Sequence, residues 1–210
     1  MKQAKWAKMK RPMIGILISL LLSSCFGCAA SSCSGQQNEK QVVEIHGLFA
    51  YMSLGDAAHD CDIIAYCDVL EKSQSMPSIF LTDPAPATGS DYGKKVTIRV
   101  KKGLKNCREG DTLTYWEPGG EAPDGKIYVH KDVLTAETGD TALIFMGDDG
   151  STPHIGILTE DEDKNVCVPA DFMIEEEGKM PDPSVGSVVL PMAEYLEKVE
   201  KVIQAQAESK

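Results

Sequence analysis

The sequence predicts a mainly β domain, a meander or Greek key closed against its own edges, with a short helix at its start and an amphipathic helix at its end. Three observations carry this reading: apolar residues recur with a period of two, Gly-Asp and Pro-Gly turn signals separate the runs, and one helical stripe follows Pro191. The first helix is expected over Ser53 to Asp60, with Ser53 as N-cap and Asp56 standing where a capping box prefers Glu. Ile63 to Val69 reads as the next strand. Val96, Ile98 and Val100 then alternate with Thr97, Arg99 and Lys101, and Leu113 and Tyr115 with Thr112 and Thr114, as on half-buried strands. Lys126 to His130, Ala142 to Met146, His154 to Leu158 and Val166 to Ile174 supply further short strands, set apart by turns such as Glu109-Gly110-Asp111 and Thr138-Gly139-Asp140. One interior is expected, formed by Val96, Ile98, Val100, Leu113, Tyr115, Leu143, Phe145, Phe172 and Ile174. After Pro191, Met192, Tyr195, Leu196, Val199, Val202 and Ile203 fall on one helical face and charged residues on the other, so this helix packs on the sheet.

The N-terminus has a different composition. Met1 to Pro12 carries Lys2, Lys5, Lys8, Lys10 and Arg11 with no acid, and the run from Met13 to Leu22 is apolar apart from Gly15 and Ser19. A helix of about ten residues spans roughly 15 Å, half of a hydrocarbon core of about 30 Å, which suits an export signal better than a permanent span. The run closes on Leu22-Ser23-Ser24-Cys25, which resembles a bacterial lipobox. That resemblance implies cleavage before Cys25, a diacylglycerol thioether on its sulfur, and the lipid bilayer as a partner. Two acyl chains suffice for stable anchoring. Gly27-Cys28-Ala29-Ala30 also suits an ordinary signal peptidase, and Cys25-Phe26-Gly27-Cys28 is a C-x-x-C without the βαβ setting of a redox pair. The organisation expected is a signal peptide over residues 1–24, a lipidated tether over 25–41 and a single domain over 42–210. The tether is rich in Ser, Gly and Gln and reaches on the order of 20–25 Å, so the domain sits close to the membrane.

Charge and motifs exclude several function classes. The chain carries −11, and its first 24 residues hold five basic groups and no acid, which leaves −16 for the remainder. Such a protein repels nucleic acid, and no nucleic-acid partner is expected. The sequence contains no G-x-S-x-G, H-E-x-x-H, G-x-G-x-x-G or P-loop, and no calcium-loop pattern among its acidic runs. No metal or cofactor is expected. His59-Asp60-Cys61-Asp62 is the one stretch where His, Cys and carboxylates crowd together, but neighbours on an extended chain point to opposite faces. Cys67 shares parity with Ile63, Ala65 and Val69 and reads as an inward apolar residue; Cys61, Cys107 and Cys167 are the better disulfide candidates.

"HDCDIIAYCDVLEKS", "VTIRVKKGLKNCREGDTLTYWEPGG" and "ETGDTALIFMGDDG", followed by the C-terminal helix, resemble a loose family of small exported bacterial β-barrel domains, often lipid-anchored. The resemblance covers about Ser53 to Phe145 and implies an oligonucleotide/oligosaccharide-binding-like (OB-like) barrel, similar to netrin-like and metalloproteinase-inhibitor domains. Cys67 stands where the family strand prefers Gly. The resemblance carries no catalytic residues, so none is assigned.

The expectation is therefore a lipid-anchored, extracytoplasmic protein of the cell membrane or outer envelope. It acts as a non-catalytic binding or inhibitory module with an envelope or extracellular protein partner. The alternative is an envelope enzyme built around His59 and nearby carboxylates. Binding is placed on two loops, Asp83 to Gly93 and Glu117 to Asp124, with Tyr92 and Trp116 as aromatic anchors, because loops on a rigid scaffold carry variable contacts and aromatics dominate binding hot spots.

Overall fold

A computed structural model describes residues 40–47, 52–80, 88–180, 182, 184 and 186–209. In chain order the elements are β1 (Val42–Ile45), α1 (Leu54–Asp60), β2 (Ile63–Lys72), β3 (Met76–Pro77), β4 (Tyr92–Lys105), β5 (Thr112–Pro118), β6 (Gly120–Glu121), β7 (Ile127–His130), β8 (Thr141–Met146), β9 (Ile157–Thr159), β10 (Asn165–Pro169), β11 (Ser187–Pro191) and α2 (Met192–Glu208). Short 3-10 turns occupy Gly89–Asp91 and Ala170–Met173. The fold is mainly β with two α-helices among the described residues.

The long strand β4 organises the main sheet: β3 and β2 pair in succession along one edge of it and β5 along the other, and β8 and β9 continue beyond β2. All of these pairings are antiparallel, and three register shifts bend β2 against β4. A smaller sheet runs β1-β7-β6, with β1 parallel to β7, and β10 pairs β11. Among the described residues no sheet closes into a barrel. The edge of β5 away from β4 meets a turn instead of a strand, where the Trp116 N–H donates to the Gly150 carbonyl at 2.9 Å.

The expected single interior is two. One core lies inside the curl of the sheet and holds Cys67, Val69, Val96, Ile98, Tyr115, Ala142, Ile144, Met146 and Ile157. The other lies on the opposite face under the helices and holds Leu54, Ile64, Leu143, Phe145, Phe172, Met192, Tyr195 and Val199. Period-two alternation makes the division: Ala142, Ile144 and Met146 point into the curl, and Leu143 and Phe145 toward the helices. Leu143, Phe145 and Phe172 thus belong to the helix-backed core, not to the interior that holds Val96 and Ile98.

The helices close that second core. α1 starts at Ser53, whose side chain accepts from the Asp56 N–H at 3.0 Å while the Asp56 carboxylate accepts from the Ser53 N–H at 2.7 Å, the reciprocal capping box. At its other end Lys105 of β4 donates to the carbonyls of Ala58 at 2.8 Å and Cys61 at 2.6 Å, satisfying acceptors that a helix C-terminus leaves open. α2 lays Met192, Tyr195, Leu196, Val199 and Val202 into the core. The buried Tyr195 hydroxyl donates to the Phe172 carbonyl at 2.8 Å, and Phe172 meets Phe145 edge-to-face at 5.1 Å.

The stretch 166–174 does not form one strand. β10 ends at Pro169, which lacks the N–H a continuing ladder needs, and the following 3-10 turn carries Phe172 inward.

Candidate functional site

At the end of β5, strand alternation sends neighbouring side chains to two different recesses. Trp116 and Pro118 line a cleft of about 410 Å³ together with Phe80, the 3-10 turn residues Ser90 and Asp91, Tyr92 at the start of β4, His130 at the end of β7, Val133, Ser151 and His154. The structure therefore brings together Tyr92 and Trp116, the two aromatic residues expected to anchor a ligand.

The aromatic residues of the cleft differ in exposure. Trp116 is only 6 % exposed and forms the floor. Its ring lies against Gly93 so closely that a Cβ there would stand 2.5 Å from the indole, so the ring needs a glycine on the adjacent strand. Phe80, at 39 % exposure, stands edge-on to the indole with centroids 6.4 Å apart and is the accessible aromatic of the cleft. Tyr92 is half-buried.

The cleft is weakly charged. Asp91 accepts from the Thr88 hydroxyl and N–H, both at 2.7 Å, and these bonds hold its carboxyl below the usual range. Burial lowers His130 against a favourable contact with the Ser90 backbone, and lowers His154 against the pull of Asp171 and Asp132. Both rings are then neutral at pH 7, which leaves Asp91 as the charge on the lining.

Behind Pro118 lies a second cavity of about 240 Å³, lined by Lys94, Glu117, Gly119, Tyr128, His130, Thr135 and Glu137. Glu117 is paired across the strands with Lys94 and ion-paired through Oε1 to Lys72 Nζ at 2.9 Å, with both side chains of the ion pair more than nine-tenths buried. Lys72 also reaches Glu137 at 3.1 Å. Burial pushes the Glu117 carboxyl up, against the opposing pull of Lys72. Its second oxygen, Oε2, is buried with no hydrogen-bond partner among the described residues, as are His130 Nε2 and the Tyr115 hydroxyl. Gly119 turns the chain at the cavity wall with φ of +97°, and a Cβ there would also stand 2.7 Å from the Tyr128 carbonyl.

The two loops expected to carry binding are partly strand. Tyr92 and Gly93 open β4, residues 81–87 lie outside the described residues, and Glu117 and Pro118 complete β5 before the turn at Gly119. Glu117 and His130 had no sequence signal of their own: a carboxylate before Pro-Gly-Gly reads as a solvated turn. Cys25, expected to carry the lipid, and residues 1–24, expected to form a signal peptide, lie outside the described residues. His59 sits at the end of α1 with its side chain 53 % exposed and Nδ1 2.8 Å from Asp60 Oδ1; it does not line the cleft.

Among the described cysteines, Cys61, Cys67, Cys107 and Cys167 are all free. Cys67 is fully buried, as its parity indicated, and burial raises its thiol to about 12 and that of Cys61 to about 11, so neither is a thiolate at neutral pH. Among the described residues no group of His, Cys, Asp and Glu is arranged to hold a metal ion, and no helix is long and apolar enough to cross a membrane.

No family model, curated protein or solved structure matches this chain. The likeness to exported barrel domains therefore rests on the sequence motifs that carry it.

Proposed function

We propose that this chain is a membrane-anchored extracytoplasmic lipoprotein that acts as a non-catalytic binding or inhibitory module in the cell envelope. Its lipid is carried on Cys25, and its contact site is the cleft between Phe80, Tyr92 and Trp116. The observation that carries the binding reading is the convergence of three aromatic side chains on one weakly charged recess of about 410 Å³, a size typical of ligand sites. In this reading the curled sheet is an OB-like barrel left open between β5 and β9. The bond from Trp116 to Gly150 and the enclosed Tyr115, Ile144 and Met146 support it. A rigid sheet holds the cleft, and the segments around it present the variable chemistry.

A photo-reactive phenylalanine at position 80 tests this on intact cells. Irradiation is expected to capture an envelope or extracellular protein, and Tyr92→Ala is expected to reduce capture at least about fivefold, the effect of losing roughly 1 kcal/mol at an aromatic contact. Capture unchanged by Tyr92→Ala removes the cleft from the reading. In the same cells Cys25→Ala should abolish lipid labelling and membrane retention; a labelled, retained variant would refute the anchor.

A further inference from the structure

The cavity behind Pro118 has features a structural ion pair does not need. Lys72 satisfies Glu117 Oε1, yet among the described residues the buried Oε2 has no hydrogen-bond partner, and neither has Nε2 of His130, a residue that lines the same cavity. Buried polar atoms left this way are uncommon and costly, and each calls for a physical reason. The surrounding charges already balance, Lys72 and Lys94 against Glu117 and Glu137, so an ionic guest would leave one charge uncompensated in a confined space. A neutral group fits. It must donate to a carboxylate oxygen and accept from the Lys94 ammonium. A primary carboxamide does both, through its NH₂ and its carbonyl.

The cavity also adjoins the aromatic cleft. Pro118, His130 and Val133 line both recesses, so the two share a wall. In an extended peptide, side chains two residues apart project from the same face roughly 7 Å from each other. We propose that the cavity is a polar subsite of the cleft that takes the side-chain carboxamide of a Gln or Asn, in a peptide whose apolar side chain two residues away fills the aromatic cleft. This rests on the reading of the cleft as a binding site and names the chemistry of the partner.

Isothermal titration of the full chain in detergent micelles with acetyl-Phe-Gly-Gln-Gly-Phe N-methylamide tests it, since this probe places Phe two residues from Gln in either chain direction. Matched probes carry Leu or Glu in place of Gln. The Gln probe is expected to bind at least about tenfold more tightly than either, the discrimination expected when a site's buried polar groups are left unpaired. That preference is expected to fall below about threefold in Lys94→Met, which removes the donor to the carbonyl, and in Glu117→Gln, which removes the ionic acceptor. Lys94 is only partly buried, so its variant keeps the test informative if Glu117→Gln fails to fold. Equal affinity for the three probes overturns the subsite and leaves the cleft reading intact; no binding by any probe overturns both. A Gln preference that survives in Lys94→Met also overturns the subsite.

Discussion

The two cores share β2 and β8 but are finished in different ways. Under the helices the large side chains interlock and the polar atoms are matched: Phe145 meets Phe172, and the Tyr195 hydroxyl is bonded to the Phe172 carbonyl. Inside the curl the apolar part is equally buried, but its β5 end terminates in polar atoms that have no hydrogen-bond partner among the described residues, on Tyr115 and Glu117. A matched core lowers the free energy of one arrangement; unmatched buried groups raise it and persist where something else requires them. In the proposed reading the helix-backed side is the scaffold, and the recesses at the rim of the curl are where a ligand binds.

The largest expected effect breaks the helix-backed side. Phe145→Ala removes a fully buried ring from a packed contact and should cost about 3–5 kcal/mol, seen as a large fall in the urea midpoint. A loss under about 1 kcal/mol would mean that this core is not the scaffold.

A matched pair of substitutions sharpens the comparison. Tyr195→Phe removes a buried, bonded hydroxyl and should destabilise by about 1 kcal/mol. Tyr115→Phe removes a buried hydroxyl with no partner among the described residues and should be neutral or stabilising by a few tenths of a kcal/mol. Equal losses in the two variants would show that the hydroxyls are equally satisfied and would dissolve the distinction between the cores.

The smallest effect is in the pH dependence. Burial depresses His130 and His154 below 6.5, so each contributes stability that is present above that value and is lost as pH falls through the depressed folded value. Glu117 acts with the opposite sign: its carboxyl is raised above 4.5 by burial, so its contribution is present below that value and is lost as pH rises through the raised one. Stability curves for wild type and His130→Phe should therefore diverge between pH 7 and 5, with the variant losing less by at most about 1 kcal/mol. Parallel curves would place His130 in solvent-like surroundings.

Much of the scaffold was legible because its signals are local. The capping box needs only Ser53 and Asp56, the α2 stripe needs one helical period, and β4 alternates cleanly from Val96 to Val100. The division into two cores was not legible, because every residue from Ala142 to Met146 is buried, and a strand covered on both faces reads as a continuous apolar run without an inside or an outside. β1 was missed because its pairing partner, β7, lies some 85 residues away and the strand is only half-buried. Tyr92 and Trp116 were singled out from residue type, yet their convergence on one cleft depends on β4 and β5 pairing Gly93 with Pro118. Glu117 escaped notice because its ion partner, Lys72, is on another strand 45 positions earlier.

The parallel pairing of β1 with β7 has a mechanical consequence. Any tension entering from the N-terminal side of the described chain passes through Val42–Ile45 into β7, whose end bonds run from the Ile127 N–H to the Gln41 carbonyl at 2.9 Å and from the Lys131 N–H to the Ile45 carbonyl at 3.0 Å. A pull along the strand axis loads these bonds together, in shear, instead of opening them one after another. All four residues of β7 line the second cavity and the last of them, His130, lines both recesses, so the force-bearing strand is also a wall of the cavity.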